Sequence, residues 1–124
     1  MKYIDYLPLN SLVHAEYNPN YADHRTFLEI QNSIQRFGVV DPAIVNLHEN
    51  RKNIVVGGNH RVMVAKDMIE KGLAIFPGTD KETPAQEYFA NGFPCITVNL
   101  PFEQEKELNI RLNKNKGQFD ENIL

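Results

Sequence analysis

Apolar and polar positions follow two different periods along this chain, and each change of period marks an element. Ile54, Val55 and Val56 form a β-branched run that ends at Gly57-Gly58. Beyond the glycines the period lengthens. Val62, Ala65 and Ile69 recur at helical spacing, Lys71 falls in the last turn, and Gly72 offers a left-handed stop. The pattern predicts a strand, a glycine turn and a helix, with Asn59 as N-cap. Phe27, Ile30, Ile34 and Phe37 predict a second amphipathic helix whose aromatics belong to the core. Thr26 and Glu29 have the spacing of a capping box there, and Gly38 supplies the stop.

The remaining pattern is shorter in period. Tyr3 to Leu9 alternates loosely and predicts an edge strand stopped by Pro8. Ala43 to Leu47 predicts a strand, and the polar run 48–53 turns it back into Ile54 as a hairpin. Phe93 to Leu100 predicts another strand. Between them, residues 72–94 are punctuated by Pro and Gly and read as a surface insertion, with a short helix from Pro84 to Asn91 and Pro84 in its first turn. A last helix starts after Pro101, with Leu108 and Leu112 four apart and Glu107 placed to pair with Arg111.

Composition narrows the classes. At 124 residues the chain is expected to form a single domain, 1–124, with a modest core. A net charge of −3 excludes a generic polyanion binder, so contact with nucleic acid requires a local basic patch. Cys95 is the only cysteine, which excludes an internal disulfide and a cysteine-based zinc site. It reads as a small buried hydrophobe. No apolar run approaches the roughly 20 residues of a membrane span, and the N-terminus lacks the apolar stretch of a signal peptide. A cytoplasmic location is the expectation.

The chemistry concentrates at Gly57-Gly58-Asn59-His60-Arg61. Two glycines admit close approach of backbone to a ligand, and the N–H groups of a helix start attract an anion. Arg61 adds a planar donor fork suited to phosphate oxygens. An ordinary connection with a solvated arginine would show the same spacing. No Gly-Lys-Ser/Thr ending makes this a P-loop, and G-x-G-x-x-G is absent.

The string Gly57-Gly58-Asn59-His60-Arg61, with Ala65 four further on, resembles the signature of the ParB/sulfiredoxin superfamily. Sulfiredoxins carry a reactive cysteine where this chain has Asn59, and an amide cannot attack as a thiolate does. The resemblance therefore excludes sulfiredoxin chemistry. It extends to an opening Asn18-Pro19, although Asn20 replaces the usual arginine, and to the loop from Gly38 to Pro42, which in ParB-like domains lies against the base and sugar of a bound nucleotide. Toward the end, partition proteins carry Glu-Asn-x-Gln-Arg, the Glu and Asn serving metal and phosphates. Here the matching residues are Leu112, Asn113, Lys114, Asn115 and Lys116, so the acidic ligand for Mg²⁺ is lost while Asn113 and a terminal cation remain. Leu108 to Lys114, with Gly117 and Phe119-Asp120, is similar to the ending of phage and prophage ParB-like domains that precede DNA methyltransferases.

The resemblance implies an α+β fold, a small mixed sheet with packed helices. It also implies a nucleotide or nucleic-acid phosphate held by Gly38, Pro42, Gly57, Gly58, Asn59, His60, Arg61, Asn113, Lys114 and Lys116. The ligand would be a nucleoside triphosphate, CTP or ATP, and DNA would be a partner directly or through a linked domain. ParB-like nucleases are among the relatives. In that form His60, with an unperturbed pKa of about 6.5, would act as general acid or base and Arg61 would stabilise phosphate charge. The alternative is a non-catalytic nucleotide-sensing or DNA-docking module, and the closing motif at the chain's end suits the N-terminal part of a longer protein.

Overall fold

The structure, a computed structural model, describes residues 3–18 and 22–123, with side chains as far as Lys114. Its centre is β3 (Ala43–Asn46), which runs antiparallel to β4 (Ile54–Gly57) through the expected hairpin. On its other side β3 lies parallel to β7 (Phe93–Val98). The short edge strands β1 (Asp5–Leu7) and β2 (Val13–His14) pair antiparallel with β7 and parallel with β4. The five-stranded order is β1-β7-β3-β4-β2.

Successive strand residues point to opposite faces, and each face has its own partner. Ala43, Val45, Val55, Phe93 and Cys95 are buried against α1 (His24–Phe37) and α2 (Asn59–Lys71) through Ile34, Val62, Ala65 and Met68. Ile44 and Asn46 point the other way, toward α4 (Phe102–Ile123). No helix among the described residues is long and apolar enough to cross a membrane.

Several local expectations are corrected. Asp23, not Thr26, caps α1: its Oδ1 accepts from the Thr26 N–H at 2.9 Å, while Glu29 pairs with Arg25 instead of closing a box. Phe37 is 58% exposed, because α1 ends there and Gly38 turns the chain inward while the ring stays outside under the Arg36 guanidinium.

The stretch 72–94 is not a surface insertion. Ile75, Ala85, Phe89 and Phe93 are buried, and only the tip around 77–82 is exposed. Main-chain bonds tie it in. Phe76 N–H donates to Gln35 O at 2.7 Å and Ala85 N–H to Leu73 O at 2.8 Å. A two-stranded piece, β5 (Ala74–Ile75) with β6 (Thr83–Pro84), leads into α3 (Ala85–Tyr88). That helix is shorter than Pro84 to Asn91, and Pro84 precedes it as the cap. Ile75, Ala85 and Phe89 join the same apolar core as α1 and α2, which removes their surface from water.

Candidate functional site

At its C-terminal end β4 carries an irregularity. Val45 faces Val55 while Ile44 faces Gly57, so Val56 is the extra residue of a bulge. Its carbonyl accepts instead from Asn109 Nδ2 of α4 at 2.9 Å. Gly58 then takes φ 89°, a left-handed conformation that glycine adopts without a Cβ penalty, and serves as N-cap of α2.

Asn59 is thus the first helical residue and not the cap. Its side chain bridges the turn, donating to Val55 O at 2.9 Å and accepting from Ala15 N–H at 3.4 Å. A residue read as ligand-facing is also a buckle between β4 and the end of β2. The first rung of the helix ladder is Val62 N–H to Gly58 O, which leaves the N–H groups of the first turn outside it.

Arg61 does not reach out to solvent. Its guanidinium folds back over Gly58, Nη2 lying 2.8 Å from where a Cβ on that glycine would be, and donates to Pro42 O at 3.2 Å. The buried Nε has no hydrogen-bond partner among the described residues. Burial lowers the Arg61 pKa, and the nearby Asp41 carboxylate opposes that shift.

In front of this turn opens a cleft of about 940 Å³. Gly57 to Arg61 form one wall and the loop from Gly38 to Asp41 another. The face of α1 and the Asn109–Asn113 side of α4 complete it. Of the residues implied by the resemblance, Gly38, Gly57, Gly58, Asn59, His60, Arg61 and Asn113 share this cleft, and Pro42 joins through its carbonyl bond to Arg61. Lys114 does not. It lines a separate shallow groove along α4 with Phe102 and Ile110. The Lys116 side chain, Pro19 and Asn20 lie outside the described residues.

The charge in the cleft is uneven. Asp23, Glu29 and Asp41 are on the α1 and loop side, and Arg61 is at the turn. Leu112, expected from the resemblance to replace an acidic metal ligand, packs its Cδ1 3.1 Å from where a Cβ on Gly57 would sit. No group of three His, Cys, Asp or Glu able to hold a metal exists among the described residues.

Sequence reading missed two features. Asn109, 7% exposed, donates to Val56 O and accepts from Asn113 Nδ2 at 3.3 Å, so it orients the amide at the cleft. Two asparagines four apart beside the Leu108–Leu112 stripe were the available signal. The second is the fully buried Glu105, which accepts from Arg51, Asn46 and Tyr17 and anchors the start of α4 to the hairpin. Glu105 lies three and seven residues before Leu108 and Leu112, so helical spacing puts it on their face, but its charge argued for solvent and only the partners Arg51, Asn46 and Tyr17 make its burial possible.

A mixed sheet with helices on both faces, opening at a strand–glycine–helix turn beside a cleft, defines a small α+β domain class. Within it, the profile of the ParB N-terminal domain matches residues 1–115, and the chain belongs to that family. The fold is similar to a crystal structure of the C-terminally truncated chromosome-partitioning protein ParB from Caulobacter crescentus complexed with CTP-gamma-S. The TM-score is 0.61 at 18% identity, over 89% of this chain. The chain spans about half of that protein, 52% of its length. A comparison with curated proteins gives no match.

Proposed function

We propose that this domain binds a nucleoside triphosphate in the cleft, with the phosphates at the Gly57–Arg61 turn. The observation that carries the reading is Arg61. Among the described residues its half-buried guanidinium keeps an unpartnered Nε and one long bond to a carbonyl, beside N–H groups outside the helix ladder. An anion there would satisfy donors that the protein leaves open. The acidic side chains on the α1 side would repel phosphates, so the nucleoside half points toward α1 and the 38–41 loop. The CTP analogue held by the Caulobacter protein makes CTP the first candidate, with ATP second. Asn113, oriented by Asn109, would contact the ligand from the third side.

DNA, reached directly or through a linked domain, is the partner proposed with it, in keeping with the chromosome-partitioning relative. A ParB-like nuclease is the second reading, because His60, an imidazole able to give or take a proton, stands beside Arg61 in the same cleft. Membership of a phage or prophage protein linked to a DNA methyltransferase is proposed from the closing motif alone.

Calorimetric titration with CTP, ATP, GTP and UTP tests the first reading. One nucleotide should bind the parent and Arg61→Ala should bind it markedly more weakly. Equal affinity in that variant removes the site. Incubation with plasmid DNA and divalent metal separates binding from hydrolysis.

A further inference from the structure

The loop that would face the nucleoside is held from behind by a residue outside the cleft. We propose that Tyr88 is a positioning residue for this loop and so for recognition of the nucleoside half of the ligand. The inference rests on the nucleotide reading above.

The geometry is specific. Val39 N–H donates to the Tyr88 hydroxyl at 3.1 Å. The same oxygen lies 2.5 Å from where a Cβ on Gly38 would be, so the hydroxyl sits against bare backbone. Gly38 N–H is engaged by Ile34 O at 2.8 Å, and Pro42 O by Arg61 at 3.2 Å. The loop is therefore strung between α1, Tyr88 and Arg61. Between those tethers Val40, 72% exposed, and Asp41 line the cleft.

Tyr88 itself is well anchored. Its ring packs edge-on against Phe89 at 4.9 Å and Phe76 at 6.2 Å, and Phe89 stacks on buried Phe93. A rigid aromatic carries its hydroxyl to a fixed place at little entropic cost. The segment 72–94 thereby acts on the site without touching a ligand, through the Val39 amide.

Tyr88→Phe isolates this role, since it keeps the ring and removes only the acceptor. With the Val39 N–H released, the loop should relax while the Gly57–Arg61 turn is unchanged. Two ligands read the difference: the nucleoside triphosphate that binds the parent, and inorganic tripolyphosphate, which lacks a nucleoside. The variant should lose about three- to tenfold in nucleoside triphosphate affinity, the worth of one hydrogen bond, and keep its tripolyphosphate affinity. In the ligand-free parent, the Val39 amide should exchange with solvent more slowly than the Val40 amide, and Tyr88→Phe should abolish that protection. Undiminished nucleoside triphosphate binding in a folded variant overturns the inference and leaves the nucleotide reading standing. Equal loss for both ligands also overturns it, as general loosening. An unprotected Val39 amide in the parent overturns it whether or not the variant folds. A parent that binds no nucleotide ends the underlying reading and this inference with it.

Discussion

Arg51 grips Glu105 with two parallel bonds, Nε to Oε1 at 3.0 Å and Nη2 to Oε2 at 2.8 Å, across the join between the β3–β4 hairpin and α4. Glu105 is fully buried, and its remaining oxygen capacity is taken by Tyr17 Oη at 2.7 Å and Asn46 Nδ2 at 2.9 Å. Arg51 reaches on to Glu16, and its guanidinium covers the Phe102 ring at 4.6 Å. Removing Glu105 leaves the largely buried Arg51 with only the exposed Glu16 as an ionic partner, and takes the acceptor from Tyr17 and one acceptor from Asn46. Glu105→Ala should cost roughly 3–5 kcal/mol in chemical unfolding, and much less if Arg51 is replaced together with it.

The same pair gives a pH dependence with a definite sign. Burial pushes the Glu105 carboxyl up, but the bonds from Arg51, Asn46 and Tyr17 outweigh it and hold the pKa below the usual range. A depressed carboxylate contributes stability that is present above its unfolded pKa of about 4.3 and is lost as pH falls through the folded value. Thermal unfolding should show Tm falling below about pH 4, with a flatter acid limb in Glu105→Gln.

Arg61 predicts opposite responses of stability and binding. Its Nε is buried without a partner among the described residues, so replacing the side chain by an apolar one relieves an unmet donor. Arg61→Leu should stay within about 1 kcal/mol of the parent, or exceed it, in urea unfolding. Its nucleotide affinity should fall by roughly 1.5–3 kcal/mol, read by calorimetry.

Gly92 takes φ 107°, and a Cβ there would meet the Leu7 carbonyl oxygen at 2.7 Å. The obstacle is backbone of the paired edge strand, which cannot swing aside as a side chain can. Gly92→Ala should cost at least about 1–2 kcal/mol from the dihedral alone. Amide exchange should accelerate first in Asp5 to Leu7, where β1 pairs with β7.

Chelation tests the metal question. Because Leu112 packs against Gly57 where a carboxylate would be needed, nucleotide binding should weaken in EDTA without disappearing. Complete loss would show that groups other than residue 112 hold a cation with the phosphates.

The legible parts of this protein were those with strong local periodicity. Helical spacing at Val62, Ala65 and Ile69, and the Gly72 stop, could be read because they are local: backbone sterics and a one-sided apolar stripe act within a few residues. Capping was less legible. Gly58 took the N-cap from Asn59 because the β4 bulge rotates the chain before the turn, and a bulge depends on the neighbouring strand. Phe37 obeyed the helical period and still stayed outside, because burial depends on what lies opposite, not on spacing.

The glycine turn, its basic first-turn residue and the resemblance to ParB-like domains were determined by the sequence alone, since each rests on residue type at short spacing. Tertiary structure decided which side chains share a cleft. It brought Asn113 into the same cleft as Arg61, turned Lys114 to another groove, and buried Glu105 near the start of a polar helix. It also made residues 72–94 part of the core and put Tyr88 behind the Gly38 loop. The physical reason is common to all of them: whether a charge, an amide or a ring is buried depends on partners distant in the chain, and no local period encodes them.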